Sequence, residues 1–334
     1  VSVNRASSGD RFEPVATQKA DEKEKASHRI LANTDAVGIA FSGNGVEDTT
    51  AGGTSANRAY MDNARWSRSY RNESGRVVGS ISEGTWVHRG TSATTIGADP
   101  DPYWTVKLTG DANADKKVDW QDAAIAFRDI RPHVNGQDDV PNKVVTRIPF
   151  NIVSQAAYPF LRTLDDTKRV ALATDGLGQQ VMLKGYQAEG HDSAHPDYAD
   201  HYNTRAGGFE DLKTLVNEGN KWNASFGVHV NDTESYSEAK SFSEDLIQMP
   251  PQPGWGWMNQ AYYIDQGKDL GTGAVLKRFQ DFKDEVPANL NWLYIDVFQT
   301  SGWIGQRLGA ELQKQGWVMG TEYSPYFPDA TVWT

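Results

Sequence analysis

The sequence predicts an α/β protein in which a parallel sheet of short strands alternates with helices behind an antiparallel β-rich region. Three observations predict it. Residues 31–110 are rich in Gly, Ser and Thr and carry short alternating or β-branched pieces between turn signals. The pattern then changes near residue 110. After Pro141, short apolar runs alternate with longer amphipathic stretches, which is how strands joined by crossover helices look in sequence.

Composition bounds the function. A chain of 334 residues, 38% hydrophobic and 23% charged, can bury one large core or two ordinary ones and is not a disordered chain. Its net charge of −11 argues against non-specific binding to nucleic acid or to an anionic membrane. The absence of cysteine excludes disulfides, thiolate metal sites and cysteine nucleophiles. No apolar run approaches the roughly 18 residues of a membrane span, and the first residues lack a charged-then-apolar leader pattern. The 11 Trp and 13 Tyr are the unusual feature, because such side chains pair an apolar face with a polar tip and suit sugar rings.

Taken in order, residues 1–30 are polar, and the mixed-charge run 19–25 predicts a solvated helix face or a tail. Residues 77–80, 85–88 and 103–108 predict strands of the β-rich region, which extends to about residue 108. Residues 109–140 form a connector made of an acidic loop and an exit helix at 123–130. From 141 to 334 the candidate strands are 147–153, 180–187, 225–231, 292–298 and 317–323, with helices at 209–218, 274–284 and 304–315 between them. Function in parallel sheets gathers at the C-terminal ends of the strands.

The connector carries oxygen side chains at Asp111, Asn113, Asp115, Asp119 and Asp122, positions 1, 3, 5, 9 and 12 of an EF-hand-type loop, with the Lys117 carbonyl at position 7. This spacing predicts a structural Ca2+ that neutralises close carboxylates and fixes the junction to the parallel sheet. Lys116 stands where such loops usually have Gly. An acidic turn without metal is the plainer alternative.

Three strand ends carry groups capable of chemistry. The first follows Lys184 and holds Gln187, Glu189, His191, Asp192 and His195. Asp296 closes the fourth apolar strand, and Glu322 closes the fifth. A carboxylate at the end of a buried strand is costly unless paired or used, and two on successive strands face the same rim. Two facing carboxylates are what glycoside hydrolysis needs, one at the anomeric centre and one to move the proton. Each could instead be a helix cap or an ion-pair partner. A metal held by His191, Asp192 and His195 is the lesser reading, since they lie on a Gly-containing loop. Trp255 and Trp257, one residue apart in a Gly/Pro loop, suit a flexible lid that stacks on a sugar. His229 ends the third strand and is either a core histidine or a hydrogen-bonder to hydroxyls.

With these residues assembled, the chain resembles the catalytic region of endo-α-N-acetylgalactosaminidases, glycoside hydrolase family 101. The resemblance covers about residues 108–325. It is carried by Gly110 to Asp115 with Val118 to Asp122, by Ile148 to Asn151 with Ser154 and Gln155, and by Gly185 to Gln187 with Glu189 to Ser193 and His195. Gly227 to Asn231, Gly254 to Trp257, Tyr294 to Val297, and Gly316 and Trp317 with Glu322 complete it.

It implies a (β/α)8-type barrel behind a sandwich-like β region. Such barrels take about 250 residues, so this chain is expected to hold an incomplete barrel of about five strands, with the missing strands supplied by another chain or segment. The family removes galactosyl-β1,3-N-acetylgalactosamine, the core 1 disaccharide, from Ser or Thr of mucin-type O-glycoproteins with retention. The resemblance implies Asp296 as nucleophile and Glu322 as acid/base, with carboxyl groups about 5–5.5 Å apart. It implies Asp192, His195 and His229 as sugar hydrogen-bonders, with His191, Asn151 and Gln187 beside them, and Trp255 and Trp257 as the lid. An extracellular or bacterial cell-surface location follows from that substrate, with no nucleic acid partner and no cofactor for catalysis. A non-catalytic carbohydrate-binding protein, another retaining α-glycosidase and a calcium-stapled scaffold module are the alternatives. The first of these would not need both Asp296 and Glu322.

Overall fold

The computed structural model describes residues 11–13, 23–25, 30–44, 66–71, 77–82, 89–90, 94–152, 155–300, 302–323, 326–327 and 329–334. The chain forms two units. One comprises Val1–Arg89, Asp99–His133 and Ser301–Trp303; the other comprises Gly90–Ala98, Val134–Thr300 and Ile304–Thr334.

The first unit is antiparallel. Its strands are β1 (Arg11–Glu13), β2 (Lys23–Lys25), β3 (Ile30–Asn33), β4 (Gly38–Gly43), β5 (Trp66–Arg71), β6 (Val77–Ser82) and β7 (Trp104–Thr109). They make two sheets, in the orders β1-β3-β4-β7 and β2-β5-β6. The mixed-charge run therefore ends in an edge strand rather than a helix: Lys23, Glu24 and Lys25 pair with Arg68, Ser67 and Trp66, and charged residues suit a strand with one free edge. The strand expected at 85–88 lies outside the described residues. Helix α1 (Trp120–Phe127) packs on this unit, with Ala123, Ala126 and Phe127 against Leu31 and Ala40. Asp119 and Asp122 start it with a reciprocal capping box, which sets the helix three residues earlier than its apolar pattern suggests.

The second unit is a half-barrel of five parallel strands. In chain order it runs β8 (Val145–Arg147), α2 (Phe160–Ala173), β9 (Gln179–Leu183), α3 (Gly208–Gly219) and β10 (Ala224–Asn231). A small antiparallel sheet of β11 (Glu234–Tyr236), β12 (Pro253–Gly256) and β13 (Gln260–Tyr263) follows. Then come α4 (Gln266–Gly271), α5 (Ala274–Glu285), β14 (Leu290–Asp296), α6 (Trp303–Lys314) and β15 (Val318–Thr321). The main sheet has the order β8-β9-β10-β14-β15, each strand beside the next parallel one. Its strands are covered on both faces. Phe226, Val228 and Val230 of β10 and Leu290, Leu293 and Ile295 of β14 are wholly buried, as expected when helices flank a parallel sheet. Helix α5 supplies Val275, Phe279 and Phe282 to that core at spacings of four and three, one stripe of a helix. Gly227 is required where β10 meets β14, because a Cβ there would sit 2.4 Å from the Trp292 ring.

The first strand is shifted from its expected place. The pattern pointed to 147–153, but the ladder runs over Val145–Arg147, since Pro149 cannot donate to it. Among the described residues only a bridge from Phe150 to Lys184 continues the pairing. The Gly/Pro segment around Trp255 is likewise not a loop: β12 pairs with β13, which pairs with β11, so both tryptophans ride on or beside a hairpin. Among the described residues no helix is long and apolar enough to cross a membrane.

Candidate active site

Alternation along parallel strands sets which groups share a face. His229 lies opposite Tyr294, and Asn231 opposite Asp296, so these four share one face at the ends of β10 and β14. Gly320 lies opposite Tyr294 on the other side. Glu322, two residues on and just past β15, continues that alternation toward Asp296. The strand ends thus bring Asp296 and Glu322 to one rim. The two carboxylates meet the same backbone turn, because Glu322 Oε2 accepts the N–H of Val297, the residue after Asp296, at 3.3 Å. Val297 holds φ +48°, a conformation that a β-branched residue reaches only under strain.

Asp296 is clamped on its other side. His229 Nε2 lies 2.8 Å from Asp296 Oδ2, and His229 is buried while the Asp296 side chain keeps 22% of its surface. Burial pushes the Asp296 carboxyl up. The His229 hydrogen bond and charge, the Lys184 ammonium and the Val297 N–H outweigh burial and hold it below the ordinary carboxylate range. Burial also drives His229 down, against the pull of Asp296. The imidazole is therefore neutral near pH 7, and what it gives Asp296 there is a neutral N–H donor rather than a charge. The Lys184 charge adds to the His229 contact in favouring the ionised form of Asp296.

The turn after β9 brings the other candidates to the same rim. His191 Nδ1 lies 3.2 Å from Asp192 Oδ1 without hydrogen-bonding geometry. The His191 ring meets those of Phe150 and His229 edge-on, each at 5.0 Å. Burial lowers the His191 pKa to about 3. Burial raises Asp192 to about 6, with Lys184 opposing and the charges of Asp296 and Glu234 adding. His195 is buried and held neutral by burial, with Nδ1 facing the Asn231 N–H at 3.4 Å. Asn151 and Gln187 are buried as well. Asn151 spends both amide atoms on the Tyr158 backbone. Gln187 donates Nε2 to the Asp197 carbonyl and leaves Oε1 without a partner. Trp255 and Trp257 are 53% and 44% exposed, with rings stacked at 6.2 Å and 21°.

His191, Asp192 and His229, rather than His195, offer atoms close enough together to hold a metal ion. The acidic loop behaves differently. Asp111 accepts from the backbone of Asp115 and Lys116, and Asp115 from that of Lys117. Asp122 accepts from Ala112, Asn113 and Asp119. Lys116 adopts φ +71°, so the loop makes at Lys116 the turn that Gly usually makes. Asp111, Asn113 and Asp115 remain exposed, which fits them as oxygen ligands; Asp122 is buried and already has three donors.

Sequence reasoning singled out the carboxylates and histidines and missed what holds them. Lys184 lay inside the expected 180–187 strand and stands just past the end of β9. Tyr294, whose hydroxyl burial and the nearby carboxylates push up to about 12, stacks on His229 at 6.0 Å; its place one turn of the alternation before Asp296 was the available signal. Glu234 carried none.

Comparison with known proteins gives a consistent result. Residues 121–334 match the family described as endo-alpha-N-acetylgalactosaminidase, and residues 1–120 match the galactose mutarotase-like fold domain. A Renibacterium salmoninarum protein, provisionally named an endo-alpha-N-acetylgalactosaminidase, is 42% identical over 336 residues, covering 100% of this chain and 22% of that one. The chain thus spans about a fifth of the length of this curated relative. Among solved structures, the alpha-N-acetylgalactosaminidase NagBb of Bifidobacterium bifidum with GalNAc matches at TM-score 0.52 and 14% identity, over 99% of this chain and 60% of that one. The alpha-galactosidase AgaA of Geobacillus stearothermophilus matches at TM-score 0.54 and 11% identity, over 98% and 49%. At such identities the likeness concerns the fold.

Proposed function

The chain belongs to the endo-α-N-acetylgalactosaminidase family, glycoside hydrolase family 101, and on that premise we propose that its half-barrel carries the catalytic pair of a retaining glycosidase. The substrate is the α-link between galactosyl-β1,3-N-acetylgalactosamine and Ser or Thr of mucin-type O-glycoproteins. The observation that carries this reading is the joint hold on Val297: Asp296 precedes it, and its N–H reaches Glu322.

Asp296, ionised beside Lys184 and oriented by the His229 N–H, attacks the anomeric carbon. As the C1–O bond breaks, Glu322 gives its proton to the Ser or Thr oxygen, leaving a glycosyl ester on Asp296. Glu322 then takes a proton from water, whose oxygen displaces Asp296, and the α-anomer leaves. Asp192, His191 and His195 meet sugar hydroxyls, with the imidazoles neutral and able both to donate and to accept. Asn151 and Gln187 support that turn from beneath. Trp255 and Trp257 cover the disaccharide by stacking.

The reading extends to the rest of the molecule. The substrate places the protein outside the cell or on its surface. The barrel is completed by strands from another segment or chain, beside β15, where Gly320 bridges to Trp333. Asp111, Asn113, Asp115 and Asp119 with the Lys117 carbonyl hold a structural Ca2+; their exposure and the φ of Lys116 support this.

The test is release of disaccharide from an aryl α-glycoside of galactosyl-β1,3-N-acetylgalactosamine, following the anomer. Wild type should give the α-anomer, and Asp296→Asn and Glu322→Gln should not. Release of the β-anomer would overturn retention. Saturable binding without hydrolysis, in the chain joined to its remaining strands, would favour a binding protein.

A further inference from the structure

Glu234 is buried between the tryptophan hairpin and the catalytic strand ends. It is only 6% exposed and spends its two oxygens in opposite directions. Oε1 accepts the backbone N–H of Trp255 at 2.6 Å. Oε2 accepts Asn231 Nδ2 at 2.9 Å. Asn231 ends β10 directly opposite Asp296, and its Oδ1 accepts the N–H groups of Thr233 and Glu234 at 2.8 and 3.2 Å. Thr233 donates its hydroxyl to the Val297 carbonyl at 3.1 Å. Val297 is the strained residue whose N–H meets Glu322. One short path of hydrogen bonds thus runs from the backbone of Trp255 to the turn shared by the two carboxylates.

The hairpin is shaped for this contact. β12, which carries Trp255, is separated from β11, which carries Glu234, by β13, so the Glu234 side chain crosses the middle strand to reach it. Gly254 permits the approach, since a Cβ there would lie 2.5 Å from Glu234 Oε1. A carboxylate accepting two N–H groups in a buried place makes strong, directional contacts. Among the described residues no basic side chain forms an ion pair with it, so both amide donors matter to keeping it there.

We propose that Glu234 is a positioning residue that anchors the Trp255–Trp257 hairpin to the end of the nucleophile's sheet, so that the hairpin's grip on the sugar is set by Glu234. The consequence for sugar binding rests on the function proposed above; the anchoring does not. Glu234 touches no reacting atom, so its removal acts on affinity before chemistry.

The anchoring is read without any ligand, by amide hydrogen exchange at Trp255. Glu234→Ala should lose protection of that N–H by about tenfold or more, and Glu234→Gln, which keeps one acceptor oxygen, should retain most of it. Unchanged protection in Glu234→Ala overturns the proposal. The functional arm uses the aryl disaccharide and the chain with its remaining strands. Glu234→Ala should raise KM about tenfold while kcat stays within about threefold, with Glu234→Gln between the two. Gly254→Ala keeps the Glu234 residue but puts a Cβ 2.5 Å from its Oε1, forcing carboxylate and hairpin apart, and should reproduce the rise in KM. A loss confined to kcat in both variants would move Glu234 into the chemistry and overturn the positioning role. A wild type that neither binds nor cleaves the disaccharide, with Trp255 protection still dependent on Glu234, would sink the proposed function and leave the anchor standing.

Discussion

The carboxylates of the 111–122 loop and those at the rim of the parallel sheet are satisfied by different partners. In the loop, Asp111, Asp115, Asp119 and Asp122 accept backbone N–H groups no more than ten residues away. At the rim, Asp296 takes its side-chain hydrogen bond from His229, 67 residues off, beside the adjacent Val297 N–H, and Glu322 takes one from Val297, 25 residues off. Short-range satisfaction makes a turn and starts a helix, because the neighbours that supply the donors are fixed by the loop itself. Long-range satisfaction places a charge where only the assembled sheet can put it. On the function proposed above, Asp296 and Glu322 are of the second kind and held for chemistry, whereas the loop carboxylates are structural parts.

The sharpest way to break this contrast is to remove each kind in turn. Asp296→Asn keeps the shape of the rim and removes the proposed nucleophile. Its kcat should fall by about 10^4-fold or more, with little change in thermal stability. A loss under about tenfold would show that Asp296 is as structural as the loop carboxylates.

Asp122→Ala should do the reverse. It removes half of the capping box on α1 and leaves the N–H groups of Ala112, Asn113 and Asp119 without their buried acceptor. A destabilisation of about 2 kcal/mol is expected by denaturant unfolding, with the aryl glycosidase rate per folded molecule preserved. The same contrast is sharpened by metal. Ca2+ titrated into the metal-free protein should raise the melting temperature by a few degrees. A charge-removing Asp111→Asn variant should lose that gain, and Asp296→Asn should keep it. No shift with Ca2+ would leave the loop a self-satisfied acidic turn.

These differences also explain what could be read in the sequence. The strand-helix alternation after residue 141 was legible, because buried strands such as β10 and β14 are apolar on both faces and nothing else looks like them. The catalytic candidates were legible for the same reason: Asp296 interrupts an apolar strand. Three things were hidden. β8 is only three residues long and ends before a proline, so its pattern extended too far. The tryptophan segment, rich in Gly and Pro, carried loop chemistry, yet it pairs with β13 through a bulged register. Glu234 was hidden more deeply, since its partners Asn231 and Trp255 meet it only through the fold. Short-range order writes itself into spacing; long-range partners do not.

The smallest effect tests the rim's electrostatics. Asp192 titrates near 6, raised first by burial and then by the charges of Asp296 and Glu234, while Lys184 opposes. It is therefore protonated below that pH, where His191, at about 3, stays neutral. A protonated Asp192 can accept fewer sugar hydroxyls, so kcat/KM should fall as pH drops through about 6, up to about tenfold per unit. Asp296, held below the ordinary range, cannot produce a limb there. Asp192→Asn should start from a lower plateau and lose that limb, because an amide does not titrate. If the limb persists unchanged in Asp192→Asn, the group titrating near pH 6 lies elsewhere. Asp192 would then belong with the structural carboxylates of the loop rather than with Asp296 and Glu322.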